Sequence, residues 1–200
     1  MKATEFDLSK DLVLNFEEGI ATFRNNRLVI LDASSLGLLR HNLMQELGPA
    51  KAREFFLRLG FSHGVADFSQ MKKKYTFDTE MDLLASGPVI HSWEGLVSAR
   101  PSEIRFDRQT GDFYFTGTWL NSYEAEQYLS FNEPSTEPVC WSLMGYASGW
   151  STAFFGSPLI AIEPQCCGKG DANCGWLIQP PSVWGDRAKP YLDAYKTLIG

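Results

Sequence analysis

The sequence predicts an α+β domain in which an antiparallel sheet carries packed helices. Three observations predict it. Strand-period and helix-period segments both occur, without the regular βαβ alternation of a parallel sheet. No fixed-period repeat or low-complexity tract interrupts them. Apolar residues make up 44% of 200 positions, enough for one sizeable core.

Residues 1–31 read as short extended pieces, with turn signals at Glu18-Gly19 and Asn25-Asn26. From Asp32, leucines recur at helical spacing (Leu36, Leu39, Leu43, Leu47) and Gly48 closes the helix, with Ser34 or Ser35 as N-cap. Pro49 suits the first turn of a second helix, on which Phe55, Phe56 and Leu59 mark an expected buried stripe. The segment from Glu80 reads as a short helix or turn running into strand-like sequence. A hairpin follows: Ile104 and Phe106 alternate with polar residues, "DRQTGD" turns, and Phe113, Phe115, Gly117 and Trp119 share the returning face. "EPVCWSLMGYASGWSTAFFG" reads as a helix with Cys140, Met144, Ala147 and Ser151 on one side. "SPLIAIEP" is a strand with Leu159, Ala161 and Glu163 on one face, and "CGWLIQPP" is a strand stopped by its prolines. The tail from Ser182 is amphipathic.

Charge and length exclude several functions. Lysine and arginine number 18 against 24 acidic residues, a net charge of −6, and the one basic run is Lys72–Lys74. Such a surface repels a phosphate backbone, so no direct nucleic-acid contact is expected. No apolar run approaches the ~20 residues of a membrane span, and Met1–Gly19 is acidic where a signal peptide is basic and then apolar. The expected location is cytoplasmic, where thiols stay reduced unless they bind metal or react.

Three of the four cysteines fall in "IEPQCCGKGDANCGW". A phosphate loop is excluded, because the G-x-x-x-x-G-K-[ST] spacing is missing. A C-x-x-C redox pair is absent too, and a vicinal Cys166-Cys167 disulfide would be strained. Cys166 and Cys174 frame a glycine-rich hairpin that lets thiolates converge, Cys140 sits at a helix start, and Glu163 is the nearest candidate for a fourth ligand. Spacing alone leaves this metal reading level with one in which the cysteines are small buried hydrophobes.

The segments "FFLRLGFSHGVAD", "GPVIHSWEG", "FDRQTGDFYF", "EPVCWSLMGYASGW" and "IEPQCCGKGDANC" together resemble the aromatic-sensing N-terminal domain of bacterial transcriptional activators of the XylR/DmpR/MopR class, whose second half is a 4-vinyl-reductase-type domain. The resemblance covers nearly the whole chain. It implies a structural zinc held by Cys140, Glu163, Cys166 and Cys174, with Cys167 standing where a basic residue is usual. It implies a phenolic or other aromatic effector held by His91 and Trp119, within a wall that includes Leu84, Met144 and Trp150.

That assignment fits elementary chemistry, since a neutral imidazole accepts from a phenol hydroxyl and an indole N–H donates to it. Gly117 and Ala161 stand where phenol sensors of this class carry aromatic residues, so a roomier cavity is expected. The resemblance further implies a non-enzymatic domain that dimerises and represses a downstream sigma-54-dependent ATPase until the effector binds. Residues 1–33 are then a strand-rich segment and dimer contact, 34–181 the sensing and zinc-binding domain, and 182–200 the start of a linker. Two rivals are a stand-alone zinc-containing vinyl-reductase-like enzyme acting on an aromatic or tetrapyrrole, and a zinc-stapled assembly module. No Ser/His/Asp set or paired carboxylates supports the enzyme.

Overall fold

A computed structural model of the chain describes residues 1–23 and 26–199. The predicted turn residue Asn25 and the terminal Gly200 lie outside them. Two antiparallel sheets and seven α-helices make up the regular structure among these residues. After two 3-10 turns at Ala3–Glu5 and Leu8–Asp11, strands β1 (Leu12–Asn15), β2 (Ile20–Phe23) and β3 (Asn26–Leu28) form a small meander. Gly19, at φ 63°, supplies the left-handed residue that the β1–β2 turn needs.

Helix α1 spans Ala33–Leu47 with Asp32 as its N-cap, not Ser34 or Ser35. The leucine stripe is also out of phase with the fold. Leu39 and Leu47 are about half exposed, and the helix instead buries Gly37 and Arg40. The next helix repeats the pattern. In α2 (Pro49–Lys74) Phe56 is buried, but Phe55 and Leu59 face out, and the inward face runs through Ala52, Leu57, Gly60, Phe61, Gly64 and Phe68.

Glycine explains the phase. Helix α5 (Trp141–Phe155) crosses α2 at backbone contact, with Gly60 and Gly64 of α2 facing Gly145 and Gly149 of α5. A Cβ on Gly149 would lie 2.1 Å from the Phe61 carbonyl oxygen, and one on Gly60 would lie 2.1 Å from that of Ser142. Real Cβ atoms do not approach so closely, so both helices require glycine here. Each helix carries the pair at i, i+4, which keeps the two glycines on one face.

The segment from Glu80 forms a full helix, α3 (Glu80–Trp93), longer than the short helix or turn expected. Thr79 caps it by accepting from the Asp82 N–H, and Pro88 sits inside it. The predicted hairpin is β4 (Ser98–Asp107) with β5 (Asp112–Leu120), in a four-stranded sheet of order β4-β5-β7-β6. Strands β6 (Ile160–Gln165) and β7 (Cys174–Gln179) are the two predicted around the cysteine loop. Between hairpin and α5 lies a helix that the sequence reading omits, α4 (Tyr123–Phe131), capped by Ser122 accepting from the Ala125 N–H. The tail forms α6 (Pro181–Trp184) and α7 (Lys189–Tyr195) and packs back on the α2–α5 pair. There the Tyr195 ring lies 4.5 Å from that of Phe61.

Helix α4 carries Glu124, 1% exposed, whose carboxylate accepts from Arg40 of α1 at 3.1 Å and from the Leu143 N–H at 3.1 Å. The Arg40 guanidinium rests 3.9 Å from the Trp141 ring centre, a cation–π contact. A buried pair thus ties α1 and α4 to the first turn of α5, where unpaired backbone N–H groups favour an anion.

Candidate functional site

Cys140 is the N-cap residue of α5, as its place in the sequence suggested. Its thiol makes no capping bond. It points instead toward Cys166 and Cys174, with Sγ–Sγ separations of 4.0 and 3.8 Å. Glu163, from β6, accepts from the Cys140 N–H at 3.2 Å through Oε2, while its buried Oε1 has no hydrogen-bond partner among the described residues. One donor atom from each of Cys140, Glu163, Cys166 and Cys174 lies within 4.8 Å of all the others, and all four residues are buried.

These residues fit a tetrahedral metal. A Zn–S bond of about 2.3 Å puts two sulfurs of a tetrahedron ~3.8 Å apart, close to the separations found. Burial, and the charge of Cys166 beside it, push the Glu163 carboxyl up to about 8, a penalty that a cation would remove. Backbone N–H groups support the sulfurs, with Val139 donating to Cys166 Sγ at 3.4 Å and Cys167 to Cys174 Sγ at 3.3 Å. The adjacent cysteines therefore separate by position. Cys166 contributes its thiol to the cluster, whereas Cys167 is half-buried and contributes a backbone donor.

On the opposite side of the same sheet and helix residues is a small cavity whose lining includes His91, Trp119, Tyr146, Trp150, Ser151 and Trp176. Its volume of about 20 Å³ is room for roughly one water. His91, on the last turn of α3, is 3% exposed and stacks on the Tyr146 ring at 4.1 Å between centroids. Burial lowers its pKa to about 4, so the imidazole is neutral at pH 7. Its Nε2 is buried and has no partner among the described residues, and neither have Ser151 Oγ and Trp176 Nε1. Three orphaned polar atoms around one cavity are a standing cost that a polar ligand would relieve.

His91, Trp119 and Trp150 therefore meet at this cavity, as expected. Leu84, Met144, Gly117 and Ala161 form the layer behind it: the Leu84 carbonyl accepts from Trp150 Nε1, and the Ala161 N–H donates to Ser148 Oγ. The expected extra room beside Gly117 is filled. A Cβ there would lie 2.5 Å from the Trp176 indole, which covers the glycine from the neighbouring strand position. Trp176 was legible as a strand residue, but not as the occupant of the Gly117 gap, because the β5–β7 register is not written in either strand. Tyr146 and Ser151 were likewise missed as wall residues. Their i, i+4 relation to Trp150 and Ala147 on α5 was the available signal.

The family described as "activator of aromatic catabolism" matches residues 7–107, and the 4-vinyl-reductase-type domain matches residues 118–180. The chain is 34% identical over 178 residues to the phenol regulator MopR of Acinetobacter guillouiae. It is 30% identical over 180 residues to the transcriptional regulatory protein XylR of Pseudomonas putida. These alignments cover 89% and 90% of this chain but 32% of each relative, so the chain spans about a third of their length. Among solved structures, the phenol-responsive sensory domain of the transcription activator PoxR, bound to phenol, matches with a TM-score of 0.89 and 30% identity over 94% of both chains.

Proposed function

The chain belongs to the family of activators of aromatic catabolism, and from that premise we propose that it is a regulatory domain that senses a phenolic effector and is not itself an enzyme. One observation carries the reading beyond family membership. The Nε2 of a neutral, buried His91 faces no partner among the described residues at an aromatic-lined cavity, which suits the hydroxyl of a phenol as donor. Trp119 is the proposed indole donor to the same hydroxyl, and Trp176 Nε1 is a second donor in need of an acceptor. Leu84, Gly117, Met144, Trp150 and Ala161 would shape the wall. Because the cavity is small, effector entry would require the indole of Trp176 or its neighbours to move.

The cysteine cluster would hold one structural zinc through Cys140, Glu163, Cys166 and Cys174. Four protein ligands close a zinc's tetrahedron, so its contribution would be to tie α5 to β6 and β7. Residues 1–33 would supply a dimer contact, a reading supported by the exposed Phe16, Val29 and Ile30. Residues 34–181 would sense, and 182–200 would lead toward an ATPase domain, without direct contact to nucleic acid. No described helix is long and apolar enough to cross a membrane, and the cytoplasm is the proposed location. The relatives are transcriptional regulators and a sensory domain, which does not favour the vinyl-reductase-like enzyme.

Calorimetry with phenol, a methylphenol and toluene tests the sensor. Phenols should bind, toluene should bind more weakly, and His91→Ala should abolish phenol binding. Failure of every arene to bind would overturn the reading. Elemental analysis should find about one zinc per chain, and a metal-free folded protein would remove the proposed zinc.

A further inference from the structure

A second cluster of donor atoms lies behind the cavity wall, at the solvent edge of α2 and α3. His63 and Asp67 are four residues apart on α2, which puts both side chains on one face. Glu94, the C-cap residue of α3, reaches the same point. His63 Nε2 lies 3.2 Å from Glu94 Oε1 and 3.5 Å from Asp67 Oδ2, and one donor atom from each residue lies within 4.8 Å of the other two. Glu94 Oε2 is buried with no hydrogen-bond partner among the described residues.

Charge makes this arrangement unusual. Two carboxyl groups face a single imidazole, with no lysine or arginine among the donors of the cluster. Burial, reinforced by the charge of Glu94, pushes the Asp67 carboxyl up to about 7. Burial works to lower the His63 pKa, but the hydrogen bond and charge of Glu94 outweigh it and raise it to about 9. The group thus recruits protons to neutralise itself, which is what a divalent cation would do better.

We propose that His63, Asp67 and Glu94 form a second metal site, one that takes a divalent transition-metal cation through one imidazole nitrogen and two carboxylate oxygens. Such a donor set suits zinc, cobalt, nickel or manganese rather than the soft ions that thiolates select. The partial exposure of His63 leaves the remaining coordination positions to water. The site is coupled to the effector cavity by one residue. Tyr146 donates its hydroxyl to Asp67 Oδ2 at 3.0 Å, and its ring stacks on His91. A cation drawing on Asp67 competes for that acceptor, and so bears on the ring that backs His91.

Cobalt(II) titration of the whole chain reads both sites separately. Cobalt at the cysteine cluster gives intense sulfur-to-metal charge-transfer absorption in the near ultraviolet. Cobalt on nitrogen and oxygen gives only weak visible bands. The expected result is a further equivalent that adds no charge-transfer intensity, accompanied by paramagnetic broadening of the His63 ring protons. His63→Ala and Glu94→Gln should each weaken that equivalent by at least about tenfold, the smallest loss usual even for an outer partner of a metal ligand, and leave the thiolate bands unchanged. Absence of the further equivalent, or its persistence at full affinity in both variants, would overturn the site whatever the cysteine cluster does.

Discussion

His91 makes a sharp prediction about acid. In the folded chain it is 3% exposed and holds its proton only below about pH 4, whereas an unfolded histidine titrates near 6.5. Between those values the unfolded state binds a proton that the folded state refuses. The folded pKa is depressed for a base, so stability is fully present above 6.5 and is lost as pH falls toward 4. The slope is about 1.4 kcal/mol per pH unit. Allowing for partial titration at the edges, moving from pH 7 to pH 5 costs about 2 kcal/mol through this residue alone.

His91→Gln removes the titration while keeping a polar side chain of similar reach. Urea unfolding of both proteins at pH 7 and pH 5 isolates the effect, because every other titrating group is common to the two and cancels. The wild type should lose about 2 kcal/mol more than the variant between the two pH values. An equal loss in both would mean that His91 is not buried as a neutral base, and with it would go the case for Nε2 as a waiting acceptor.

Three further outcomes follow from packing and charge. Gly149→Ala forces a methyl to 2.1 Å from the Phe61 carbonyl oxygen and should cost at least about 1–3 kcal/mol, seen as a lower melting temperature; an unchanged melt would mean that the α2–α5 contact is looser than described. Trp176→Ala empties the space over Gly117 and should destabilise by about 3–5 kcal/mol. A bicyclic phenol such as 2-naphthol should then raise the variant's melting temperature more than the wild type's, and equal shifts would show that Trp176 does not limit the cavity. Arg40→Met strands Glu124 as a buried unpaired carboxylate at a cost of about 3–5 kcal/mol. Adding Glu124→Gln should recover part of that loss in chemical denaturation, and no recovery would argue against the pair.

The legible parts of the fold are those whose signal is local. The β4–β5 hairpin was readable because period-two alternation and a turn of charged and small residues sit within one stretch. The cysteine cluster was readable because cysteine and a flanking carboxylate are conspicuous. The phases of α1 and α2 were misread for a common reason. Leu39, Leu47, Phe55 and Leu59 look like a core stripe, yet they are about half exposed. The face that does pack is built from glycines, which hydrophobic periodicity counts as nothing. The G-x-x-x-G spacing at Gly60/Gly64 and at Gly145/Gly149 was the available sign, and it marks close approach rather than burial of side chains. Glu124 was missed for a different reason. A glutamate in a first helical turn usually faces water, and its partner Arg40 is 84 positions away.

What neither motif nor period could reveal is how closely the two chemical centres share their supports. Trp119 of the cavity stands directly opposite Cys174 of the cluster across β5 and β7, and Gly117 stands opposite Trp176 two residues on. Ala161, behind the cavity, and Glu163, in the cluster, are on the same strand. Helix α5 begins at Cys140 and carries Tyr146, Trp150 and Ser151 within its next three turns. No loop separates these residues, so displacement of β7 or of the start of α5 at one centre shifts the wall of the other by backbone geometry alone. A rigid cluster therefore sets how far Trp176 and Tyr146 can yield to an incoming ring. Loss of the thiolate ligands should weaken effector binding even though no cysteine lines the cavity. Cys174→Ser tests this in a form that separates it from unfolding: the variant should keep its helical circular dichroism and lose phenol affinity, and retention of full affinity would mean the two centres are independent.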